Sequence, residues 1–133
     1  MTPKKLTVLV VEPIILQGDL IKLALARHSM QVTVCRDPAT IREFLGHQIP
    51  DLILVDTHLP GQNGLDLVSD LMAEGLLAKT KVFIISSLGY PEIVQKAVKL
   101  GASDFLVKPL DTELLATRIL RCFSRLKDDS AST

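Results

Sequence analysis

Five short runs of apolar residues recur along the chain and predict five β-strands. Four of the runs are continuous and rich in Val, Ile and Leu, which is typical of strands buried on both faces of a parallel sheet. The second run alternates more between apolar and polar positions, so we expect its strand to lie nearer an edge of the sheet. The five runs are Leu6–Val11, Val32–Cys35, Leu52–Val55, Val82–Ile85 and Phe105–Val107.

Segments with helical spacing separate these runs. A second helix is predicted to open at Asp37 and Pro38, because a capping residue is followed there by a proline suited to the first helical position. Three further helices are predicted over Leu65–Ala73, Pro91–Leu100 and Asp111–Leu126. The first helix, predicted over Ile15–Ala26, places five apolar residues on one side, namely Ile15, Leu16, Leu20, Leu23 and Ala24.

A strand followed by a helix is thus repeated five times. Such alternation predicts an α/β fold in which a parallel sheet lies between two layers of helices, joined by right-handed crossovers. The 133 residues suffice for one domain whose core needs neither disulfide nor metal. We expect this domain to span residues 1–127, and the polar segment 128–133 to be a tail or the start of a linker.

Composition and charge exclude several classes of protein. Hydrophobic residues make up 47% and charged residues 23% of the chain, which argues against wholesale disorder. Fifteen basic and fifteen acidic residues give a net charge of zero, which argues against nucleic-acid binding through bulk charge. We see no signal peptide and no apolar stretch of the roughly 18 residues that a membrane span requires. With Cys35 and Cys122 expected to be buried, reduced thiols, we expect a cytoplasmic protein.

Polar residues follow four of the five predicted strands, at the point where each strand leaves the core. The carboxyl ends of parallel strands meet at one edge of the sheet, where ligands of open α/β folds bind. We therefore expect two carboxylates, a hydroxyl and an ammonium to converge there, from Glu12, Asp56, Ser86 and Lys108.

These four side chains suit phosphoryl chemistry. A carboxylate at the end of a central strand, here Asp56, can attack phosphorus and form an acyl phosphate. Two carboxylates favour Mg²⁺, and an ammonium and a hydroxyl can hold the remaining phosphoryl oxygens. A polar residue at the end of any one buried strand is expected for structural reasons alone, so the hypothesis rests on the whole set.

Over about residues 5–127, the chain resembles the receiver domain of two-component response regulators. Segment 51–64 (DLILVDTHLPGQNG) is similar to the phosphoacceptor strand and loop, with Pro60 and Gly64 following the acceptor Asp56. Segment 82–86 (VFIIS) is similar to the strand that ends in the signalling Ser or Thr. Segment 101–109 (GASDFLVKP) resembles the final strand, with a switch aromatic before a Lys-Pro pair.

The resemblance implies a flavodoxin-like sheet of strand order 2-1-3-4-5. It implies that a sensor histidine kinase or a phosphotransfer protein phosphorylates Asp56, that Ser86 and Lys108 contact the phosphoryl group, and that Ser86 and Phe105 switch position. The surface of the fourth helix, fifth strand and fifth helix would then change shape to regulate an output domain or partner protein. The same two helices are the expected surface of a homodimer, and neither a membrane nor direct nucleic-acid binding is implied.

One position departs from the family's pattern. The first strand of a receiver normally ends in two adjacent acids, the second of which contacts Mg²⁺, and here that second position is Pro13. The implied ligands are the side chains of Glu12 and Asp56 and the backbone carbonyl of His58. We expect Mg²⁺ to bind about tenfold or more weakly than in a standard receiver, a loss of roughly 1.4 kcal/mol. The resemblance also implies a cis bond between Lys108 and Pro109.

Other interpretations stay open. Pro13 favours a receiver-like interaction module that signals without phosphorylation. An enzyme is disfavoured, because aspartyl phosphatases usually carry a second Asp where this chain has His58, and no GxGxxG or GxxxxGK[ST] loop is present. His58 is either an exposed loop imidazole or a residue that controls the attacking water, and Phe105 is either core or switch. His28 and His47 are expected to be structural.

Overall fold

The computed structural model describes the backbone of residues 5–131 and the side chains of residues 5–124. Five of the strands in this part of the chain are those that the apolar runs predict, each beginning and ending within one residue of the prediction. Two further strands of two residues each were not predicted. The strands are β1 (Thr7–Val11), β2 (Gln31–Cys35), β3 (Leu52–Asp56), β4 (His58–Leu59), β5 (Gln62–Asn63), β6 (Lys81–Ser86) and β7 (Asp104–Val107).

The helices also lie where the sequence predicts them, and local capping explains where two of them begin. Asp37 accepts a hydrogen bond from the Thr40 N–H at 2.9 Å and caps the second helix. Asn63 accepts one from the Leu65 N–H at 2.7 Å and caps the third. The helices are α1 (Ile15–Ala26), α2 (Pro38–His47), α3 (Gly64–Ala73), α4 (Pro91–Lys99) and α5 (Thr112–Ala131).

Five parallel strands form one sheet in the order β2-β1-β3-β6-β7. Numbered among themselves, these strands have the order 2-1-3-4-5, so the predicted flavodoxin-like topology is confirmed. One face of the sheet packs against buried residues of α1 and α5, and the other against buried residues of α2, α3 and α4. The fold is therefore a three-layer α/β sandwich.

Alternating residues of the central strands supply the two halves of the core. In β1, Leu9 and Val11 face the layer of α2, α3 and α4, whereas Val8 and Val10 face the layer of α1 and α5. All five residues of β3 are buried. A strand buried on both faces needs apolar side chains at every position, which explains why these runs are continuous.

The buried face of α1 differs from the predicted apolar side. Of the five residues predicted to share one side, only Ala24 is buried, and the other four are at least half exposed. The helix instead turns Gly18, Ile21, Ala24 and Leu25 toward the sheet. Apolar residues lie around most of α1, so their pattern does not determine which side is covered. Gly18 lies at the closest approach, where an added Cβ would be 3.0 Å from Cγ1 of Val34.

The chain departs from the predictions at three further places. The unpredicted strands β4 and β5 form an antiparallel ribbon directly after the phosphoacceptor-like strand. Helix α5 continues to Ala131 rather than ending at Leu126 as predicted, and residues 132–133 lie outside the described residues. Cys35 is buried but Cys122 is only half-buried, so the expectation of two buried thiols holds for Cys35 alone.

None of the described helices combines the length and apolar character needed to cross a membrane.

Two leucines of α1 test which side of the helix is buried. Leu25 is 0% exposed and Leu23 is 56% exposed. We expect Leu25→Ala to lower the free energy of unfolding by about 2–5 kcal/mol, because it leaves a cavity in the core. Leu23→Ala, the matched control, should change it by less than about 0.5 kcal/mol. Urea denaturation measures both, and similar losses would contradict this placement of α1.

Candidate functional site

Four polar residues lie where their strands reach the carboxyl edge of the sheet. Glu12 and Lys108 directly follow β1 and β7, and Asp56 and Ser86 are the last residues of β3 and β6. Glu12, Asp56 and Ser86 are buried. The predicted convergence at one edge is therefore present, although the four side chains do not all contact one another.

Lys108 bridges the two carboxylates. Its Nζ donates a hydrogen bond to Oε1 of Glu12 at 2.7 Å and a second to Oδ2 of Asp56. One ammonium thus lies between two acids from different strands. We call Glu12, Asp56 and Lys108 the ion triad.

Backbone N–H groups hold the other two carboxylate oxygens of the ion triad. Oε2 of Glu12 accepts a hydrogen bond from the Ile14 N–H at 3.2 Å, just before α1. Oδ1 of Asp56 accepts one from the His58 N–H at 2.8 Å. Every carboxylate oxygen of the two acids therefore has a donor, which fixes the orientation of both groups.

Burial and pairing shift the pKa values of this group in ways that follow from its geometry. Burial raises the pKa of Glu12, and the negative charge of Asp56 adds to the rise, while the hydrogen bond from Lys108 offsets part of it. Burial by itself lowers the pKa of Lys108, but its bonds to Asp56 and Glu12 outweigh burial and hold that pKa above its ordinary value. Lys108 is therefore a stable cation at neutral pH.

Ser86 contacts a neighbour that the sequence analysis missed. Its Oγ lies 2.6 Å from Oγ1 of Thr57 and accepts a hydrogen bond from the Leu88 N–H at 3.0 Å. Thr57 was missed because only the first polar residue after each apolar run was considered, and Thr57 is the second after β3. A second polar residue that is buried beside a predicted acceptor is the signal that would have identified it.

The remaining predicted site residues lie around this edge. The His58 side chain is exposed, and its Nδ1 lies 3.3 Å from Oγ1 of Thr57. Phe105 is half-buried and packs against the core on the side of α2, α3 and α4. His28 pairs with Glu113 at 3.0 Å and His47 with the Glu43 carbonyl at 2.9 Å, contacts remote from the ion triad that suit the structural role expected for both. The bond between Lys108 and Pro109 is cis, as the resemblance implied.

Gly64 fixes the distance between α3 and the end of β3. A Cβ at this position would lie 2.0 Å from the backbone oxygen of Asp56, closer than any side-chain carbon can approach. The Gly64 N–H donates to the carbonyl of the next residue, Thr57, at 2.8 Å, so a hydrogen bond also holds the two segments together here. The glycine eight positions after Asp56 is therefore required by packing.

The acids of this edge are few for a metal site. Within residues 5–124, no group of three or more His, Cys, Asp and Glu side chains is placed to hold a metal ion. Glu12 and Asp56 nevertheless supply two carboxylates, and Mg²⁺ usually binds through one or two carboxylates together with waters and phosphate oxygens. The donor set fits Mg²⁺, with Lys108 as the cation that now occupies the space between the acids.

Comparison with known proteins gives a consistent result. The family model of the response regulator receiver domain matches residues 8–120. The response regulator protein PilR of Pseudomonas aeruginosa is 34% identical over 105 residues, which are 76% of this chain and 23% of PilR. The transcriptional regulatory protein RstA of Escherichia coli is 32% identical over 102 residues, 77% of this chain and 41% of RstA. This chain therefore spans less than half the length of either relative.

A solved structure supports the same relationship. The crystal structure of a response regulator from Thermotoga maritima superimposes with a TM-score of 0.82 at 26% sequence identity. The match covers 91% of this chain and 99% of that one. The similarity thus extends over most of this chain.

The close approach at Gly64 predicts a large effect of one methyl group. We expect Gly64→Ala to lower the free energy of unfolding by about 1–3 kcal/mol or more, because either α3 or β3 must shift. Gly46→Ala is the matched control, because a Cβ at Gly46 meets nothing within 4 Å and alanine favours a helix by up to about 1 kcal/mol. Urea denaturation measures the free energy of unfolding of both variants, and an unchanged value for Gly64→Ala would contradict the close contact.

Proposed function

The chain belongs to the response regulator receiver domain family, and we propose that it accepts a phosphoryl group on Asp56 and passes the signal on by changing its surface. The ion triad is the observation that carries this proposal, because it presents a buried carboxylate beside a fixed cation at the ligand-binding edge of the sheet. The domain itself acts as a signalling module and turns over no external substrate.

The proposed reaction is transfer from a phosphohistidine of a sensor histidine kinase or phosphotransfer protein. A carboxylate oxygen of Asp56 attacks phosphorus, the new P–O bond forms as the P–N bond breaks, and the imidazole leaves with the electron pair and takes up a proton. Lys108, held as a cation by its two carboxylate partners, is placed to neutralise charge on the phosphoryl oxygens. The acyl phosphate keeps the reacting Asp56 oxygen.

Members of the family generally bind Mg²⁺ at an acidic pocket. Here Glu12, Asp56 and the backbone carbonyl of His58 are the proposed ligands, and a bound Mg²⁺ would neutralise charge on the transferred group. Pro13 removes the second acid of the usual pair, and Lys108 competes for the same carboxylates. We therefore assign this domain a weaker Mg²⁺ affinity than a receiver with both acids.

The apolar surface of α1 supports docking of the phosphoryl donor beside the acceptor. Ile15, Leu16, Leu20 and Leu23 are at least half exposed, and the helix begins three residues after Glu12. A groove of about 210 Å³ between α1 and the segment that follows β7 is lined by Leu20 and Lys108 among others, so the exposed surface adjoins the ion triad. A donor histidine must pass this surface of α1 to reach Asp56.

The opposite flank supports a second interaction, with an output domain, a partner protein or a second copy of the chain. Five large apolar side chains are exposed on or beside α4, β7 and α5, namely Tyr90, Val98, Val107, Leu114 and Leu120. Ser86 ends β6 and Phe105 lies in the neighbouring strand β7, and these two are the proposed switch residues. The proposed location is the cytoplasm, and the proposed boundary between the domain and its tail lies after residue 127.

Phosphorylation itself can be measured directly. With Mg²⁺ and an excess of acetyl phosphate, we expect the intact mass of the chain to rise by one phosphoryl group, and Asp56→Asn to abolish the rise because the nucleophilic oxygen is replaced. Asp66→Asn, which alters an exposed acid in the first turn of α3, is the matched control and should still be modified. If the wild-type chain stays unmodified in saturating donor, the alternative applies, a receiver-like interaction module that signals without phosphorylation.

The effect of Pro13 is testable by restoring the missing acid. We expect Pro13→Asp to tighten Mg²⁺ binding by about tenfold, equivalent to about 1.4 kcal/mol, because it adds a ligating charge beside Glu12. Pro13→Ala removes the proline ring without adding charge, so it should leave the affinity near that of the wild type. Isothermal titration with MgCl₂ measures the three affinities, and equal gains in both variants would contradict the charge argument.

A further inference from the structure

A buried hydrogen bond connects the residue after the acceptor with the proposed switch serine. Oγ1 of Thr57 lies 2.6 Å from Oγ of Ser86, and the two residues are 4% and 0% exposed. The phosphoryl transfer described above makes no use of Thr57. A direct contact between these two hydroxyls nevertheless affects any movement of Ser86.

The backbone of Thr57 holds its hydroxyl in a fixed place. The Thr57 N–H donates to the Ile85 carbonyl at 3.0 Å, and the Thr57 carbonyl accepts from the Gly64 N–H at 2.8 Å. Thr57 is therefore anchored to β6 on one side and to the start of α3 on the other. A β-branched side chain on such a backbone has few accessible rotamers, so its hydroxyl is a rigid partner.

The hydroxyl of Ser86 and the carboxylate of Asp56 have different hydrogen-bond partners. Its partners in the described part of the chain are Thr57 and the Leu88 N–H, whereas the oxygens of Asp56 are held by the His58 N–H and by Lys108. The proposed switch moves the Ser86 Oγ toward a phosphoryl oxygen on Asp56, and such a movement lengthens the 2.6 Å contact with Thr57 whichever of the two hydroxyls donates. Where Ser86 is the donor, its one hydroxyl proton must also be released from Thr57 before it can bond the phosphoryl oxygen.

We propose that Thr57 is a positioning residue that holds the Ser86 hydroxyl in its unphosphorylated position and so opposes the switch. The inference rests on the proposed phosphorylation of Asp56 and names a residue that regulates it. A purely structural role for the hydroxyl pair would satisfy two buried polar groups and nothing more. The two roles predict opposite effects of removing the Thr57 hydroxyl. If the role is structural, its loss weakens activation, whereas if Thr57 holds Ser86, its loss releases Ser86 and makes activation easier.

Two variants of Thr57 separate these roles. Thr57→Val keeps the branched side chain and removes the hydroxyl, and Thr57→Ser keeps the hydroxyl. Beryllofluoride, a mimic of the phosphoryl group, is titrated into each protein with Mg²⁺ and its binding is followed by NMR. We expect Thr57→Val to bind it about five- to tenfold more tightly than the wild type, the size of one neutral buried hydrogen bond. Thr57→Ser should stay within about twofold of the wild type, because it retains that bond.

A second measurement requires no phosphoryl mimic. NMR scalar couplings report the χ1 rotamer of Ser86 in the unmodified protein. We expect one rotamer in the wild type and in Thr57→Ser, and a mixture in Thr57→Val. If Thr57→Val does not fold, Thr57→Ala serves for both measurements, since it also lacks the hydroxyl.

The outcomes distinguish this inference from the function on which it rests. If the wild type binds beryllofluoride and Thr57→Val binds it equally or more weakly, Thr57 does not hold the switch, although the receiver function stands. A single Ser86 rotamer in Thr57→Val leads to the same conclusion. If the wild type neither binds beryllofluoride nor becomes phosphorylated, the receiver function is wrong and the role of Thr57 falls with it.

Discussion

The ammonium of Lys108 lies between two buried carboxylates, and the carboxyl edge of the sheet depends on that contact. Removing a carboxylate from water costs several kcal/mol unless an opposite charge and hydrogen bonds compensate. Glu12 and Asp56 are almost fully buried, and the ammonium of Lys108, which follows the edge strand β7, pairs with both. The ends of β1, β3 and β7 are thus joined by charge as well as by the core beneath them. Without Lys108, two buried negative charges would face each other. Burial and the charge of Asp56 already raise the pKa of Glu12, so the charged form of Glu12 is disfavoured even with Lys108 present.

The charge of this edge also explains what the domain gains from a divalent cation. Two carboxylates and one ammonium leave the ion triad with one net negative charge, and phosphorylation of Asp56 would add a second. One divalent cation would bring the phosphorylated site to neutrality. With the usual second acid at position 13 the same site would stay negative. The weaker attraction for Mg²⁺ that we propose for Pro13 would therefore apply before phosphorylation, whereas the phosphorylated, metal-bound site would be balanced.

The sequence predicts those parts of the fold whose structure is determined by one requirement, the burial of apolar side chains. Strands buried on both faces need apolar side chains at every position, so the five main strands and their order follow from the pattern and the family motifs. The orientation of α1 could not be predicted in the same way, because apolar residues lie on most of its sides and close packing at Gly18 selects the buried one. The β4–β5 ribbon has only two residues per strand, too few for a periodic signal. The convergence of Glu12, Asp56 and Lys108 was predictable because each is the first polar residue after an apolar run, whereas the bridging position of Lys108 and the contact of Thr57 with Ser86 are seen only in the structure.

Three consecutive residues connect the proposed acceptor to the rest of the domain. Asp56 carries the carboxylate, the Thr57 hydroxyl meets Ser86, and the His58 N–H holds the carboxylate, while Gly64 lets α3 approach the same backbone. Ser86 extends the connection, because its carbonyl accepts a hydrogen bond from the Lys108 N–H at 2.8 Å and its hydroxyl accepts one from the Leu88 N–H. Movement of the Ser86 side chain toward a phosphoryl group would break the bond to Leu88 and free the loop that leads into α4. A chemical change confined to one buried oxygen would thereby reach the exposed apolar flank of α4, β7 and α5, through hydrogen bonds that each have a defined partner before the change.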